Sequence, residues 1–538
     1  MQEAWFELSL LRTSSMQAVK GGLSAFFVAM LRLFFDRHDV STGGFSAPLC
    51  CSGDRATFWL DVRMVIADES AQHVLFSAKG AGGLKPCMLC ANVFNTRLRQ
   101  ESIAVADRTG WSANHDCDDA SRFVPHTKDT INEIIRRLSA PMTATARRAM
   151  ETDLGFNYEA AGLMLDVRML QHAHPVDTCL FDWMHVFLVS GIFNVATLHI
   201  FEAMGSFGIT WEVVRNFVGS WQLPSRIREH KVEEIFCPKR IAKSREATPQ
   251  SLKCTASEAL SVLPILAYFM CTVLTGRRSD EEKRYARCFL LLVHAVELLL
   301  RSAKQRVSGH EYVGVVERFL RSFKGLFGGD FMTPKFHAAL HFGGFLDRWQ
   351  SIPNCFVLER KHRLPKRWGN QMTNIKAEYE GSVLRNCTLH HLEALHDDRR
   401  FCKSPCLVRP TSPSPKLAEA MAAAMGDLGV VQVAQEARVN EFETVHRSDF
   451  VWIGSGGGYA FGRFECIFAK VAGAELQLPL GLVQRFDLVA EHTRSWELVA
   501  CAGGLVVAIS DIVSALAHSG DDSKILALKP HWVLPCMA

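Results

Sequence analysis

From about Thr127 to Leu326 hydrophobic helical segments alternate with polar, basic connectors such as Lys239-Arg240-Ile241-Ala242-Lys243-Ser244-Arg245. This stretch constrains the fold most, because it divides the chain. A strand-and-helix segment precedes it, a segment dense in histidine and basic residues follows it, and the C-terminal end is rich in short strands. Within it, Ala259 to Thr275 is uncharged and almost long enough to span a bilayer. Pro264, Ser261 and the closely flanking charges favour a buried core helix, and Phe289 to Leu300, with His294 and Glu297 inside, reads the same way. No membrane partner is expected.

A chain of 538 residues should hold two to four domains at roughly 100–200 residues each. With 48% hydrophobic and 22% charged residues it is neither collagen-like, disordered nor a coiled coil as a whole. Sixty Lys and Arg against 56 Asp and Glu give a net charge of +4, which neither demands nor excludes a nucleic-acid partner; the clustering of the bases decides. Seventeen cysteines, an odd count in a long chain, do not fit a secreted disulfide scaffold, so the expected compartment is intracellular. The opening MQEAWFELSLLRTSS has acids and an arginine in its apolar stretch and is not a signal peptide. A strand-like run, Trp5 to Leu11, begins almost at once, which predicts that the chain opens inside a domain.

The first segment is expected to continue with a helix over Met16–Phe35, breaks at Gly43, Gly44 and Pro48, a β-rich run Thr57–Ala67 and a helix Ser70–Lys79. Ser404–Lys416 reads as a Pro/Ser-rich linker and Lys416–Ala437 as a short helix. Strands are expected at Phe450–Ile453, Ala460–Lys470, Glu475–Val483, Trp496–Val499 and Leu505–Ile509. There is no repeat at a fixed period. The predicted units are 1–126, 127–330, 331–400, a linker with a short helix over 401–437, and a small β-barrel-like domain over 438–538.

Four constellations carry chemistry. Asp68 ends a hydrophobic strand and precedes a helix, the place for a ligand-binding carboxylate or for a helix N-cap. Cys87-Met88-Leu89-Cys90 follows a glycine-rich turn and can grip one tetrahedral metal ion, zinc above all. Two more ligands are then needed. His115 and Cys117 are nearest in sequence, with His185, His337 and His341 further away; two buried thiols are the alternative. Asp182 and His185 share a helix face at i and i+3 in an apolar setting, where an unpaired charge is costly, so they either bond to each other or act in catalysis. Lys335, His337, His341 and Cys355 lead into Glu359, which stands in the basic run Lys361, His362, Arg363, Lys366, Arg367. The bases suit phosphate contacts and the acid suits a metal, or the run is a solvated helix face. Cys50, Cys51, Cys402 and Cys406 form no ligand pattern, and Gly454-Ser-Gly-Gly-Gly458 lacks the Lys-Ser/Thr of a phosphate loop and reads as a hairpin turn.

These motifs, ADESA and KGAGGLKPCMLC, then FDWMH with GIFN, then PKFH and His341, then LERKHR, resemble in their order the transposases of CACTA-type (En/Spm-like) DNA transposons. The resemblance runs from Asp68 to Arg367, and each piece is short. It implies an α/β fold: a partial RNase H-like core with a large, mainly helical insertion, followed here by a small β-rich C-terminal domain. It implies DDE-type phosphoryl transfer on DNA through two divalent ions, Mg2+ or Mn2+, held by three carboxylates. Asp68 then matches a strand-end catalytic aspartate, Glu359 the glutamate of the last helix, Asp182 and His185 the Asp-x-x-His signature, and Cys87 and Cys90 the CxxC. Lys361, Arg363, Lys366 and Arg367 are the expected DNA contacts, with His185, His337 and His341 in supporting places around the site.

Order in the implied fold matters. The first aspartate belongs on strand one and the second after strand four, with a helix before that strand. The helix Met16–Phe35 makes Asp68 the second, which places the first upstream of Met1 and suggests a truncated gene model, a degenerate copy or a domesticated fragment. In the other register Asp68 is first and Asp182 second, and the triad is complete; the helical context of Asp182 argues against it. The resemblance also implies DNA as partner, a homo-oligomer on DNA and a nuclear location, while the shape of the C-terminal segment suggests a protein or chromatin contact. The competing reading is a non-catalytic, zinc-containing DNA-binding or chromatin protein of the same descent.

Overall fold

The computed structural model describes residues 8–11, 13–48, 54–95, 112–227, 231–356, 359, 362–372, 378–396, 405–440, 443–455, 458–473 and 475–531. The chain is mixed α/β, with a helical middle and a β-rich C-terminal sheet. Helices in the middle start on local signals. Thr255 and Ser279 each cap the backbone of a glutamate three residues on, Glu258 and Glu282, whose side chains cap back. They open Ala256–Thr275 and Asp280–Arg301, which pack against each other, and Asp280–Arg301 also packs against Gly309–Phe327.

Ala256–Thr275 and the stretch Trp183–Phe207 are long and apolar enough to cross a membrane. In the structure both contribute to one core, where Val262, Leu266, Met270, Phe193, Phe201 and Phe289 are buried together. That core draws its members from Val28 to Cys355 and takes in Leu528 from the C-terminal sheet.

Of the strand expected at Trp5–Leu11, residues 5–7 lie outside the described residues and Leu8–Leu11 form no strand. The predicted helix Met16–Phe35 is broken: Thr13–Ala18 and Gly22–Arg32 are separated by a turn at Val19–Gly21, and Gly21 and Gly22 both take the left-handed conformation that glycine adopts without steric cost. The predicted run Thr57–Ala67 also divides. Arg55–Phe58 pairs antiparallel with Phe45–Pro48, and only Val65–Ala67 forms the strand before Asp68. That strand pairs in parallel with Cys179–Phe181, in the register Val65↔Cys179, Ile66↔Leu180, Ala67↔Phe181. Gln72, buried on the following helix Glu69–Leu75, ties the pair by donating its amide to the carbonyls of both Val65 and Leu180.

The C-terminal end is a nine-stranded antiparallel sheet beside a three-stranded one. Three long strands, Gly458–Ala472, Leu480–Glu491 and Ser495–Ala508, lie side by side. The two strands expected at Trp496–Val499 and Leu505–Ile509 are one strand, kinked where the pairing register shifts opposite Gln484–Phe486. The expected linker and helix over 401–437 are shorter than predicted. Cys406–Val408 joins the small sheet, the helix Pro415–Met425 stops at Gly426, and Val431–Ala434 pairs with Ile467–Lys470. The sheet docks on the helical body: Gln222 and His518 exchange backbone hydrogen bonds, and Arg494 meets Glu297 in a buried bidentate ion pair at 2.6 and 3.1 Å.

Candidate metal centre and carboxylate site

The Cys87–Cys90 turn is built by short-range bonds. Lys85 Nζ donates to the Ala91 carbonyl at 3.0 Å, and the Leu89 amide points at Cys87 Sγ at 3.4 Å, a knuckle that turns both sulfurs to one side. Facing them are His337, in the short helix Pro334–Ala338, and His341, which opens the helix His341–Trp349 one turn later. Cys87 Sγ lies 3.3 Å and Cys90 Sγ 3.5 Å from His341 Nε2, and the two histidine Nε2 atoms are 3.1 Å apart. Ligand bonds of zinc set the edges of its tetrahedron at about 3.5 Å between sulfur and nitrogen and about 3.3 Å between two nitrogens. The four donors therefore fit one tetrahedral ion such as zinc.

Their surroundings favour coordination. Phe123 stands edge-on to His337 at 4.3 Å and Phe181 edge-on to His341 at 5.4 Å, which fixes both rings. Burial pushes the His337 imidazole below its ordinary value, so it stays neutral and keeps a lone pair. Burial alone would raise the Cys87 thiol, but the hydrogen bond from Cys90 and the two histidines outweigh it and hold Cys87 well below the ordinary range. Cys90 is pushed well up by giving that hydrogen bond and by its own burial.

The ligand set differs from the expected one. His115 Nε2 is engaged with the Met332 carbonyl at 2.8 Å, and Cys117 points at the Asp119 carbonyl. The cluster contains neither, but His337 and His341, with Cys87 and His341 separated by 254 residues in sequence. The helical spacing of four between the two histidines was the available signal, since it puts both on one face. Proximity in sequence pointed elsewhere.

A narrow cleft lined by Glu69, His73, Cys87, Asp182, His185 and His337 leads from this cluster to the end of the parallel strand pair. Because Ala67 pairs with Phe181, Asp68 and Asp182 are the next residues on adjacent strands. Each caps a helix: Asp68 accepts from the Ala71 amide at 2.7 Å, and Asp182 from the amides of Met184 and His185 at 3.3 and 3.2 Å. Asp182 thus stands at a strand end rather than within a helix as expected. The strand Cys179–Phe181 has only three residues, too few for an alternating pattern to show in the sequence.

Asp68 is exposed, whereas the Asp182 side chain has no exposed surface. Asp182 also accepts from His185 Nδ1 and, at 3.0 Å, from the Cys355 amide. Glu359 Oε1 lies 3.7 Å from His185 Nε2, and its side chain is 57% exposed. Burial, then Asp182, Asp68 and Glu359, push the Cys355 thiol far up, so all three carboxylates act on this corner. Lys335, held by the carbonyls of His185 and Val189, is drawn down by burial and feels Glu69, Asp182 and Asp68 in the opposite sense. Lys335 and Cys355, both in the fourth sequence constellation, belong to the site.

No family model matches the chain, and no curated protein matches it. Of the expected DNA contacts, Arg363, Lys366 and Arg367 lie on the helix Arg363–Gln371 with exposed side chains; Lys361 lies outside the described residues.

Proposed function

We propose that the chain is a transposase-derived DNA-processing protein of the CACTA type, with an RNase H-like core and a phosphoryl-transfer site at the end of the parallel strand pair. The observation that carries this reading is the register that sets Asp68 beside Asp182, with Glu359 reaching the same corner. In this reading Asp68 and Glu359 are the ion-facing acids, and Asp182 is the buried acid beside them that orients His185. A divalent ion bound there supplies Lewis acidity to the attacking and leaving oxygens of the phosphate. Asp68 and Glu359 offer exposed carboxylates to it, and the helix Arg363–Gln371 presents its bases to the DNA backbone. The Cys87–Cys90–His337–His341 cluster serves as a zinc clamp that joins the strand segment to the segment after the helical body. Self-association on DNA, a chromatin contact through the C-terminal sheet and a nuclear setting belong to the same reading.

The test is a nicking and strand-transfer assay on labelled duplex with Mg2+ or Mn2+. Wild-type cleavage should fall at least a hundredfold in Asp68→Asn and in Glu359→Gln; cleavage that survives both substitutions refutes the site. One observation favours a second reading, a zinc-containing DNA-binding protein without catalysis: Asp182 is buried and its oxygens are taken up by hydrogen bonds within the protein. That reading expects no cleavage, together with salt-dependent duplex binding. Neutralising Arg363, Lys366 and Arg367 should then reduce the slope of log affinity against log salt by about 3, at about 0.9 for each phosphate left unpaired, while Asp68→Asn leaves it unchanged.

A further inference from the structure

Asp182 carries four hydrogen bonds, two on each oxygen: Met184 N and Cys355 N on Oδ1, His185 N and His185 Nδ1 on Oδ2. A carboxylate has about four lone-pair sites, so the acceptor sites of Asp182 are taken up by these bonds, in a buried group whose oxygen, a His185 ring nitrogen and Cys355 Sγ lie within 4.8 Å of one another. The three-carboxylate ion site implied by the resemblance does not fit this chain. What Asp182 does instead is fix His185. By accepting from Nδ1 it places the ring hydrogen there and leaves Nε2 as a lone pair, turned towards Glu359.

The geometry points to His185 Nε2 and Glu359 as the joint ligands of one divalent transition-metal ion, with Asp182 as the positioning residue behind the histidine. A carboxylate holding the far nitrogen of a ligating imidazole is a recurrent arrangement at metal sites, because it sets tautomer, orientation and basicity together. The 3.7 Å between Nε2 and Oε1 is close to the roughly 3.4 Å edge set by metal–nitrogen and metal–oxygen bonds of about 2.0–2.2 Å. Glu359 is exposed enough to close that gap by a side-chain rotation. Imidazole in the ligand set changes the choice of ion: it suits first-row ions, Zn2+ or Co2+ most and Mn2+ least, better than Mg2+, which prefers oxygen. This inference rests on the corner assigned above and alters its ligands and its metal. The remaining coordination positions fall to water or to a phosphate oxygen.

The experiment uses the full chain loaded with one equivalent of zinc. Mn2+ is titrated in and free Mn2+ is counted by electron paramagnetic resonance, with Mg2+ as competitor. One Mn2+ should bind per chain and withstand a tenfold excess of Mg2+. His185→Ala and Glu359→Gln should each weaken it at least tenfold, and Asp182→Asn by about 10–100-fold. Glu359 is on the surface, so its variant folds even if Asp182→Asn does not. Mn2+ binding unchanged in Glu359→Gln and His185→Ala, displacement by equimolar Mg2+, or no Mn2+ bound at all overturns the assignment. The two proposals separate. Mn2+ binding that depends on His185 in a protein that never cuts DNA keeps the ligand set and removes the catalysis. DNA cleavage that is indifferent to His185→Ala keeps the catalysis and removes the ligand set.

Discussion

Removing zinc from the Cys87–Cys90–His337–His341 cluster should loosen the whole helical body. The ion would join residues 254 positions apart, across a core that includes every long helix between them. Two independent routes give the size of the effect. An ion held at a thousandfold excess over its dissociation constant stabilises the folded state by about 4 kcal/mol. Closing a loop of this length in the unfolded chain is worth about 5 kcal/mol on the cross-link entropy relation. At about 2 °C per kcal/mol for a large unit, chelation should lower the unfolding temperature by about 8–10 °C. The assay pairs elemental analysis of the purified chain with thermal unfolding before and after chelation. One zinc per chain is expected. Cys90→Ser and His341→Ala should lose it and unfold early without chelator, while His115→Ala and Cys117→Ala keep it. Because the ligands must be deprotonated to bind, zinc should also leave as the pH falls. The reasoning is refuted if chelation leaves the unfolding temperature unchanged, or if His341→Ala retains zinc as the wild type does.

His294 is 3% exposed, neither ring nitrogen has a hydrogen-bond partner among the described residues, and burial brings its pKa down to about 4. The unfolded chain, with the ordinary value near 6.5, binds the proton more readily, so stability is full above about pH 6.5 and is lost as pH falls towards 4. The loss is about 2 kcal/mol by pH 5, and His294→Leu should abolish that part of the acid sensitivity in unfolding curves at pH 7 and pH 5. Arg494→Ala strands Glu297, 3% exposed, and should cost about 3–5 kcal/mol in thermal unfolding. The double variant Arg494→Met with Glu297→Leu should recover most of that, since it removes both charges rather than one.

The helical middle was legible because its signals are local. Hydrophobic spacing and the Thr255–Glu258 and Ser279–Glu282 caps act within a turn or two of each helix. The long strand Ser495–Ala508 was read as two because Ala502, Gly503 and Gly504 interrupt its alternation, and cross-strand bonds carry it over the gap. Asp68 looked like both a strand end and a helix cap, and it is both. Asp182 was harder to place: its strand is three residues long and gains its identity only from Val65–Ala67, far earlier in the chain.

The sequence by itself determined which side chains can do chemistry and the local elements that carry them: a CxxC turn, two histidines four apart, an Asp-x-x-His pair, and a glutamate among bases. Tertiary structure alone decided who meets whom. It chose His337 and His341 over the nearer His115 and Cys117 as partners for the thiols, and it turned Asp182 inward and onto His185. The physical reason is range. Helix caps and hydrophobic periods act over a few residues, whereas a coordination edge of about 3.5 Å between residues hundreds apart is set by how the core between them packs.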